Sequence, residues 1–301
     1  IRRRDPRRSD VTQHIASLRK EISEEPEAAV TVLSAPAESR YEIMSELGRG
    51  GMGVVFKARD KRLNRVVALK RLPDNLRDNE AAAQLFLREA QAAAALNHRN
   101  IVTLSDAGEE NGIYHITMEL LEGLPLNAIQ EKKGRLGPRD AARLGMQVCA
   151  GLHYAHEQRI VHRDIKTANL FFTTDRVVKI MDFGLAKMIE EVRKNSTVIG
   201  GTPYYMAPEQ AAGEAVDNRT DLYAFGVTLY RLMTGSFPFR EGDLAYHHRH
   251  TPPPDPREHA AEMSEAMAEL ILELLAKDPD ARPRGAADVA ARLQAIYEAA
   301  R

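Results

Sequence analysis

The sequence predicts an α+β fold in two unequal lobes, and three observations carry that expectation. Between Tyr41 and Leu121, short β-branched runs alternate with turn signals such as Asn111-Gly112. After Glu122-Gly123 the texture changes to long apolar-periodic stretches, among them "RDAARLGMQVCAGLHYAHE", "DLYAFGVTLYRLMTG" and "SEAMAELILELLAK". With 301 residues, the chain has room for two lobes with cores of their own. Its 44% hydrophobic and 28% charged residues are ordinary for a globular protein. Forty-two Lys+Arg stand against 43 Asp+Glu, a formal charge of -1, so no bulk charge draws the chain to nucleic acid or to a membrane surface. No run of about 20 apolar residues is present to span a bilayer as a helix.

Residues 1–40 read as a separate leading segment. "IRRRDPRR" is a basic run: a solvated tail in the plainer reading, or the cytoplasmic flank of a missing transmembrane helix. Asp10 to Ile22 has the spacing of a short amphipathic helix with Asp10 as its cap, and the following "SEEPEAAVTVLSAPAES" has linker composition. From Tyr41 the pattern is that of a glycine-turn hairpin followed by a third strand, "NRVVALKRL". Asn79 to Leu96 is alanine-rich and helical. Two further strands, "IVTLSDAGEE" and "IYHITMELL", complete a first lobe over 41–121, and 122–301 form the larger lobe. Cys149 sits in an apolar helical run, so it is a buried small hydrophobe rather than a nucleophile. As the only cysteine it excludes an internal disulfide and fits a reducing compartment.

Gly48-Arg49-Gly50-Gly51-Met52-Gly53 matches G-x-G-x-x-G, a weak signal alone. The β-branched "VVFKA" after it places the glycines in a strand-turn-strand flap, whereas a dinucleotide-binding turn would open a helix. A Walker A loop would need Lys-Ser or Lys-Thr where Val54-Val55 stands. Such a flap lets backbone approach phosphates without Cβ clashes. In "VALK", Ala68 and Lys70 share one strand face, leaving room for a flat ring at Ala68 and reach to its phosphates at Lys70. Glu89, on an alanine-rich helical face, calls for a cation, and Lys70 is the expected partner. "HRDIKTANLFF" sets charged residues directly before an apolar strand, and Asp182-Phe183-Gly184 follows the strand-like "VVKIM". Asn169 and Asp182, across a short hairpin, can converge as hard oxygen ligands for Mg²⁺. Asp164 is then left to orient or deprotonate a hydroxyl, and Lys166 to neutralise a transferring phosphoryl group.

These motifs, with "GTPYYMAPE", "DLYAFGV" and "DPDARP" in the same order, resemble those of a protein kinase catalytic domain of the bacterial eukaryotic-like Ser/Thr branch, over roughly residues 41 to 300. The resemblance implies the bilobal kinase fold, with an antiparallel-sheet first lobe carrying one main helix. It implies ATP and Mg²⁺, with Mn²⁺ as a substitute, and protein substrates. Lys70, paired with Glu89, would hold the α- and β-phosphates beneath Gly48, Gly50 and Gly53. Val55, Ala68 and Phe171 would sandwich the adenine, Met118 would back the pocket, and Glu119 to Leu121 would form the hinge. Asp164 and Lys166 would serve the Ser/Thr hydroxyl, and Asn169 and Asp182 the metal. Glu209 would pair with Arg282, and Asp221 would brace the catalytic loop. Thr167 departs from the family, where many members have Pro.

Arg163 before the catalytic Asp implies activation by phosphorylation, with Ser196 and Thr197 as autophosphorylation sites and Thr202 reserved for the substrate side. A homodimer would allow this in trans. The localisation implied is cytoplasmic, as a free domain or as part of a membrane-anchored protein. The rival function is a pseudokinase-like ATP-binding scaffold, against which stands the full set Lys70, Glu89, Asp164, Asn169 and Asp182. A kinase fold acting on small molecules is disfavoured by "GTPYYMAPE". His247, His248 and His250 make a poor ligand set, and a solvated helix end before a Pro-rich loop is the expectation there.

Overall fold

The computed structural model describes residues 39–50, 53–72, 79–183 and 203–300, so the Asp10–Ile22 helix expected in the leading segment lies outside the described residues. The first lobe is a five-stranded antiparallel sheet in the order β1-β2-β3-β5-β4, built from β1 (Tyr41–Gly50), β2 (Gly53–Asp60), β3 (Arg65–Arg71), β4 (Leu104–Glu110) and β5 (Ile113–Met118). The Asn111-Gly112 turn joins β4 to β5 with both residues at positive φ (54° and 75°), the demand of a tight hairpin that Asn and Gly meet at least cost. Helix α1 (Glu80–Ala94) starts where Asn79 caps the amide of Ala82 and packs Ala83, Phe86 and Ala90 against Ala68, Ile116 and Met118. Its small alanines let the helix approach the sheet closely, while Ala93 and the following Leu96 already belong to the core of the second lobe.

Ser39 and Arg40, placed by the sequence in the leading segment, are bonded into this lobe. The Arg40 guanidinium meets Asp60 at 2.7 Å and Asp106 at 2.6 Å, and Ser39 Oγ donates to Glu110 at 2.7 Å. The Arg40 hydrogen bond, with help from two backbone amides, outweighs burial and holds the Asp60 carboxyl down to about 2.

The second lobe is organised by α3 (Pro138–Glu157) and α5 (Asn218–Thr234), with β6 (Gly123–Pro125), α2 (Leu126–Lys133), β7 (Leu170–Thr173) and β8 (Val178–Ile180) towards the first lobe. Helices α4 (Pro208–Ala212), α6 (Leu244–His250), α7 (Glu265–Leu274) and α8 (Ala286–Ala299) close the far side. Nearly every turn of α5 is buried, Leu222 to Tyr230 without exception, so it is the axle of the core. Gly145 lets α3 meet α5 and α8: a Cβ there would stand 2.8 Å from Leu293 Cδ1 and 3.2 Å from Phe225 Cζ. Strands β6-β7-β8 form a small sheet whose β7–β8 hairpin aims both of its ends at the first lobe. Main-chain bonds from Val102 to Ile180 (3.0 Å) and from Ile180 to Asn100 (2.8 Å) fasten the lobes together behind the cleft.

Candidate active site

The first lobe contributes one face of its sheet. Strand register places Val55 opposite Lys70, Lys70 opposite Ile116, and Ala68 opposite Met118. Opposed residues of an antiparallel ladder share a face, as do residues two apart, so Val55, Ala68, Lys70 and Met118 all point to the same side. Gly50 pairs with Gly53 at the mouth of the β1–β2 hairpin, and Gly53 adopts φ 118°, open only to glycine. Behind Met118 a small apolar cavity is lined by Ala90, Ala93, Ile116, Asp182 and Phe183. Glu119 starts the connection between the lobes, where its carboxylate accepts from Thr103 N (2.8 Å) and Lys179 Nζ (2.7 Å). Leu121 is half-buried against the first-lobe core, and Phe171 is half-buried on β7, on the other face from Leu170 and Phe172.

The second lobe contributes a loop held from beneath. Asp221, fully buried on α5, accepts from the amides of His162 (2.8 Å) and Arg163 (2.7 Å) and pairs with His156 Nε2 (2.8 Å). Arg163 sits at φ 68°, a left-handed conformation that costs a non-glycine residue about 1–2 kcal/mol and is tolerated because both amides are satisfied there. His162 reaches across to Met181 O (2.7 Å), and Met181 N donates to Asn169 O (2.9 Å), so loop and hairpin form one hydrogen-bonded unit. Asp164 accepts from Lys166 Nζ (2.6 Å) and from Asn169 Nδ2 (3.0 Å), and the same Nδ2 also donates to Asp164 O (2.9 Å). With its amide nitrogen committed, Asn169 has Oδ1 left as an acceptor, and no described residue donates to it.

Asp182, also left-handed at φ 61°, follows β8 and brings its carboxylate to Lys70 Nζ at 2.7 Å. Burial alone would raise this carboxyl, but the Lys70 ammonium reverses that and holds it below the usual carboxylate range. Lys70 is therefore paired with Asp182 and not, as expected from the sequence, with Glu89. The cause is electrostatic: a desolvated carboxylate beside an ammonium that is itself 3% exposed is each charge's compensation, while Glu89, buried on α1, is engaged in other contacts. Phe183 packs edge-on against His162 (4.6 Å between centroids) beneath α1.

A model of the protein kinase domain matches residues 41–293. The chain belongs to the protein kinase family. It is 41% identical over 271 residues to serine/threonine-protein kinase PknB of Mycolicibacterium smegmatis, covering 86% of this chain and 43% of that one. It is 39% identical over 272 residues to serine/threonine-protein kinase pkn3 of Myxococcus xanthus, covering 85% and 50%. The chain thus spans half or less of the length of these relatives. The crystal structure of the Mycobacterium tuberculosis PknI kinase domain superposes with a TM-score of 0.71 at 25% identity, over 86% of this chain and 96% of that one. The bilobal kinase fold expected from the sequence is the fold observed, and the domain is of the bacterial eukaryotic-like Ser/Thr type, an ATP-dependent transferase domain.

On the substrate side of this kinase domain, Glu209 accepts two bonds from Arg282 (both 2.9 Å) and one from Thr220 Oγ1 (2.7 Å), all three residues buried. Burial would raise the Glu209 carboxyl, but these donors hold it below its ordinary value. Ser196, Thr197 and Thr202 lie outside the described residues. The contacts that Tyr205, Arg231 and His248 make in this part of the lobe had no signal in the sequence. Tyr205 OH meets Thr167 Oγ1 (3.0 Å) and accepts from Arg231 Nη1 (2.6 Å), so the residue standing in place of Pro is tied to the platform. His248 is fully buried between Tyr223 of α5 and Phe239, which corrects the solvated helix end expected there for this one residue, while His250 is exposed as expected. Among the described residues no helix is long and apolar enough to cross a membrane.

Proposed function

We propose that this domain transfers the γ-phosphoryl group of ATP to serine and threonine hydroxyls of proteins, and that the arrangement described above is its resting state. The observation that carries the reading is the convergence of Asp164, Lys166, Asn169 and Asp182 on one side of the cleft with Lys70 reaching them from the other. Asp164 would orient the accepted hydroxyl, and Lys166, already on its carboxylate, would follow the transferred phosphoryl. The Oδ1 of Asn169 and the carboxylate of Asp182 are hard oxygen donors of the type Mg²⁺ takes when it also binds phosphates, so the donor set fits that ion or Mn²⁺. Bound there, the metal would supply charge neutralisation of the phosphates. Val55, Ala68 and Met118 would hold the adenine with Phe171 and the Glu119–Leu121 connection, and Gly48, Gly50 and Gly53 would cover the phosphates.

In this reading Lys70 changes partner on activation, leaving Asp182 for the phosphates and Glu89. Phosphorylation of Ser196 or Thr197, in trans within a homodimer and read by Arg163, would drive the change. The whole protein would act on cytoplasmic proteins, anchored to a membrane through parts beyond this chain. The test is intact mass before and after incubation with Mg-ATP, beside Asp164→Asn. Phosphates gained by the parent alone, removed by phosphatase and mapping to Ser196 or Thr197, support the proposal. Unchanged mass despite measured ATP binding leaves the scaffold reading instead.

A further inference from the structure

Most charges on the substrate side of the second lobe are spoken for. Glu209 belongs to Arg282, Asp221 to the catalytic-loop amides, and Asp164 to Lys166 and Asn169. Arg231 is different. It lies in the last turn of α5, next to the buried Tyr230, with its guanidinium stacked over the ring of Phe237 at 4.3 Å. Its Nη1 donates to Tyr205 OH (2.6 Å), and its carbonyl accepts from Gln130 of α2. That neutral hydroxyl is the one side-chain hydrogen-bond partner of its guanidinium among the described residues, and none of their carboxylates pairs with it. Arg231 is half-buried rather than enclosed.

The position of this cation matters. Tyr205, which it holds, is bonded in turn to Thr167, three residues beyond Asp164 on the catalytic loop. Two hydrogen bonds therefore separate the guanidinium from the loop that carries the proposed hydroxyl-orienting carboxylate. Tyr205 OH bridges the two, so Arg231 Nη1 stands within about 6 Å of Thr167 Oγ1, and in an extended peptide, which advances about 3.4 Å per residue, it is a side chain flanking the accepted hydroxyl that would meet the guanidinium. The stack on Phe237 and the bond to Tyr205 fix the plane of the guanidinium beforehand, which leaves its fork ready for a bidentate acceptor without the ordering cost a free arginine would bear. Tyr205 and Phe237 hold the guanidinium from outside its own helix, and Gln130 anchors the Arg231 carbonyl, so the charge is a built feature rather than a solvated side chain.

We infer that Arg231 is a specificity residue that selects protein substrates carrying an aspartate or glutamate close to the phosphorylated serine or threonine. This rests on the kinase reading above and adds the substrate class to it. A lysine at the same place in a substrate would meet like charge and be rejected, so selection works in both directions.

The experiment uses two peptides that differ only in Glu or Lys at the positions flanking one serine, with the whole chain as parent, Arg231→Glu and Arg231→Met. Binding is measured by calorimetry and turnover by phosphate incorporation, at low and at moderate salt. The parent should bind the Glu peptide and phosphorylate it with kcat/KM at least about tenfold above the Lys peptide. The difference should reside in KM and shrink with salt. Arg231→Glu should invert the preference, and Arg231→Met, which keeps the apolar stem over Phe237, should abolish it. Equal treatment of the two peptides by the parent overturns the inference, as does a preference that survives Arg231→Glu. A charge preference in binding that Arg231→Glu inverts, without turnover of either peptide, upholds the inference and counts against the kinase reading instead.

Discussion

Lowering the pH from 7 to 5 should weaken the second lobe through one buried imidazole. His248 has no exposed surface; its Nδ1 meets Tyr223 OH at 2.8 Å, and Nε2 faces the Pro203 and Tyr204 carbonyls without closing a hydrogen bond to either. Burial first, then the Lys277 ammonium, lowers its pKa from 6.5 to about 4, and His247 adds to the same direction. Lys277 is stacked over Phe239 at 4.7 Å and donates to His247 O at 3.1 Å; Arg282 stands over the other aromatic neighbour, Tyr223, at 4.9 Å. Among the described residues the Lys277 ammonium is the main charge acting on this imidazole, and with burial it outweighs the Pro203 and Tyr204 carbonyls, which work the other way. Because the folded pKa lies below the unfolded one, protonation favours the unfolded chain. The stability that the neutral imidazole contributes is complete above pH 6.5 and is lost as the pH falls towards 4. At about 1.4 kcal/mol per pKa unit the whole window holds about 3 kcal/mol, and about 2 kcal/mol is gone by pH 5. For a lobe of this size that is a fall in Tm of about 4–8 °C.

Other groups titrate over the same range, His98 and His115 among them, both lowered by burial. The assay is therefore a difference of differences: urea unfolding of the parent and of His248→Asn at pH 7 and at pH 5. Asn keeps a polar group near Nδ1 and does not titrate. The parent should lose about 2 kcal/mol more than the variant between the two pH values. Equal losses would refute the reasoning, because they would mean that His248 is protonated in the folded lobe at no cost.

Two further outcomes follow from buried groups. Asp221→Asn sets an amide NH₂ against one of the two backbone N–H groups that the carboxylate accepts, so it should destabilise the second lobe by about 2–4 kcal/mol in urea unfolding; a change under about 0.5 kcal/mol would show that the loop is held by other means. Burial pushes the fully enclosed Cys149 thiol well above its ordinary pKa, so a thiol reagent at pH 8 should label it only as the protein unfolds, and labelling at the rate of a free thiol in the native state would contradict the packing of α3.

The sequence was most legible where one chemical task admits few residue types. A hairpin that must bring backbone close needs glycines, an oxygen donor at a hairpin end needs Asp or Asn, and a strand lysine shares its face with the residue two before it. Strand alternation also placed Ala68 and Lys70 on one face, as their register bears out, and the same register sets Val55 and Met118 beside them. Contacts between hydroxyls and charges far apart in the chain were not legible. Nothing in the spacing of Thr167, Tyr205 and Arg231 announces that they meet, because each is an ordinary residue in its own element and only the packing of α5 beneath the platform joins them. His248 was misread for the same reason. A histidine beside two others at a helix end has the pattern of a solvated face, and burial came from a neighbouring helix that the local sequence does not encode.

The partner of Lys70 was illegible for a different reason. Both Glu89 and Asp182 are acceptable carboxylates for it, so the choice depends on the relative position of α1, which is a matter of populations and not of residue type. The structure makes the terms of that choice explicit. In the second lobe, loop and hairpin are cross-braced by His162, Asn169 and Asp221, with two left-handed residues locked into place, so this half of the site has little freedom. Behind the cleft the lobes are joined by the Val102–Ile180 and Ile180–Asn100 bonds; among the described residues, Lys70 is the side chain of the first lobe that pairs with a charged residue of the proposed metal and hydroxyl set. Separating Lys70 from Asp182 without replacement would strand a 3%-exposed ammonium and a desolvated carboxylate, a penalty of about 3–5 kcal/mol. The exchange is therefore favourable only when both charges gain partners together: a carboxylate for the ammonium, for which Glu89 is placed on the facing helix, and a cation for Asp182. Approach of α1 and loading of the cleft are thus coupled through one side chain, and either event alone leaves the ion pair as the better state.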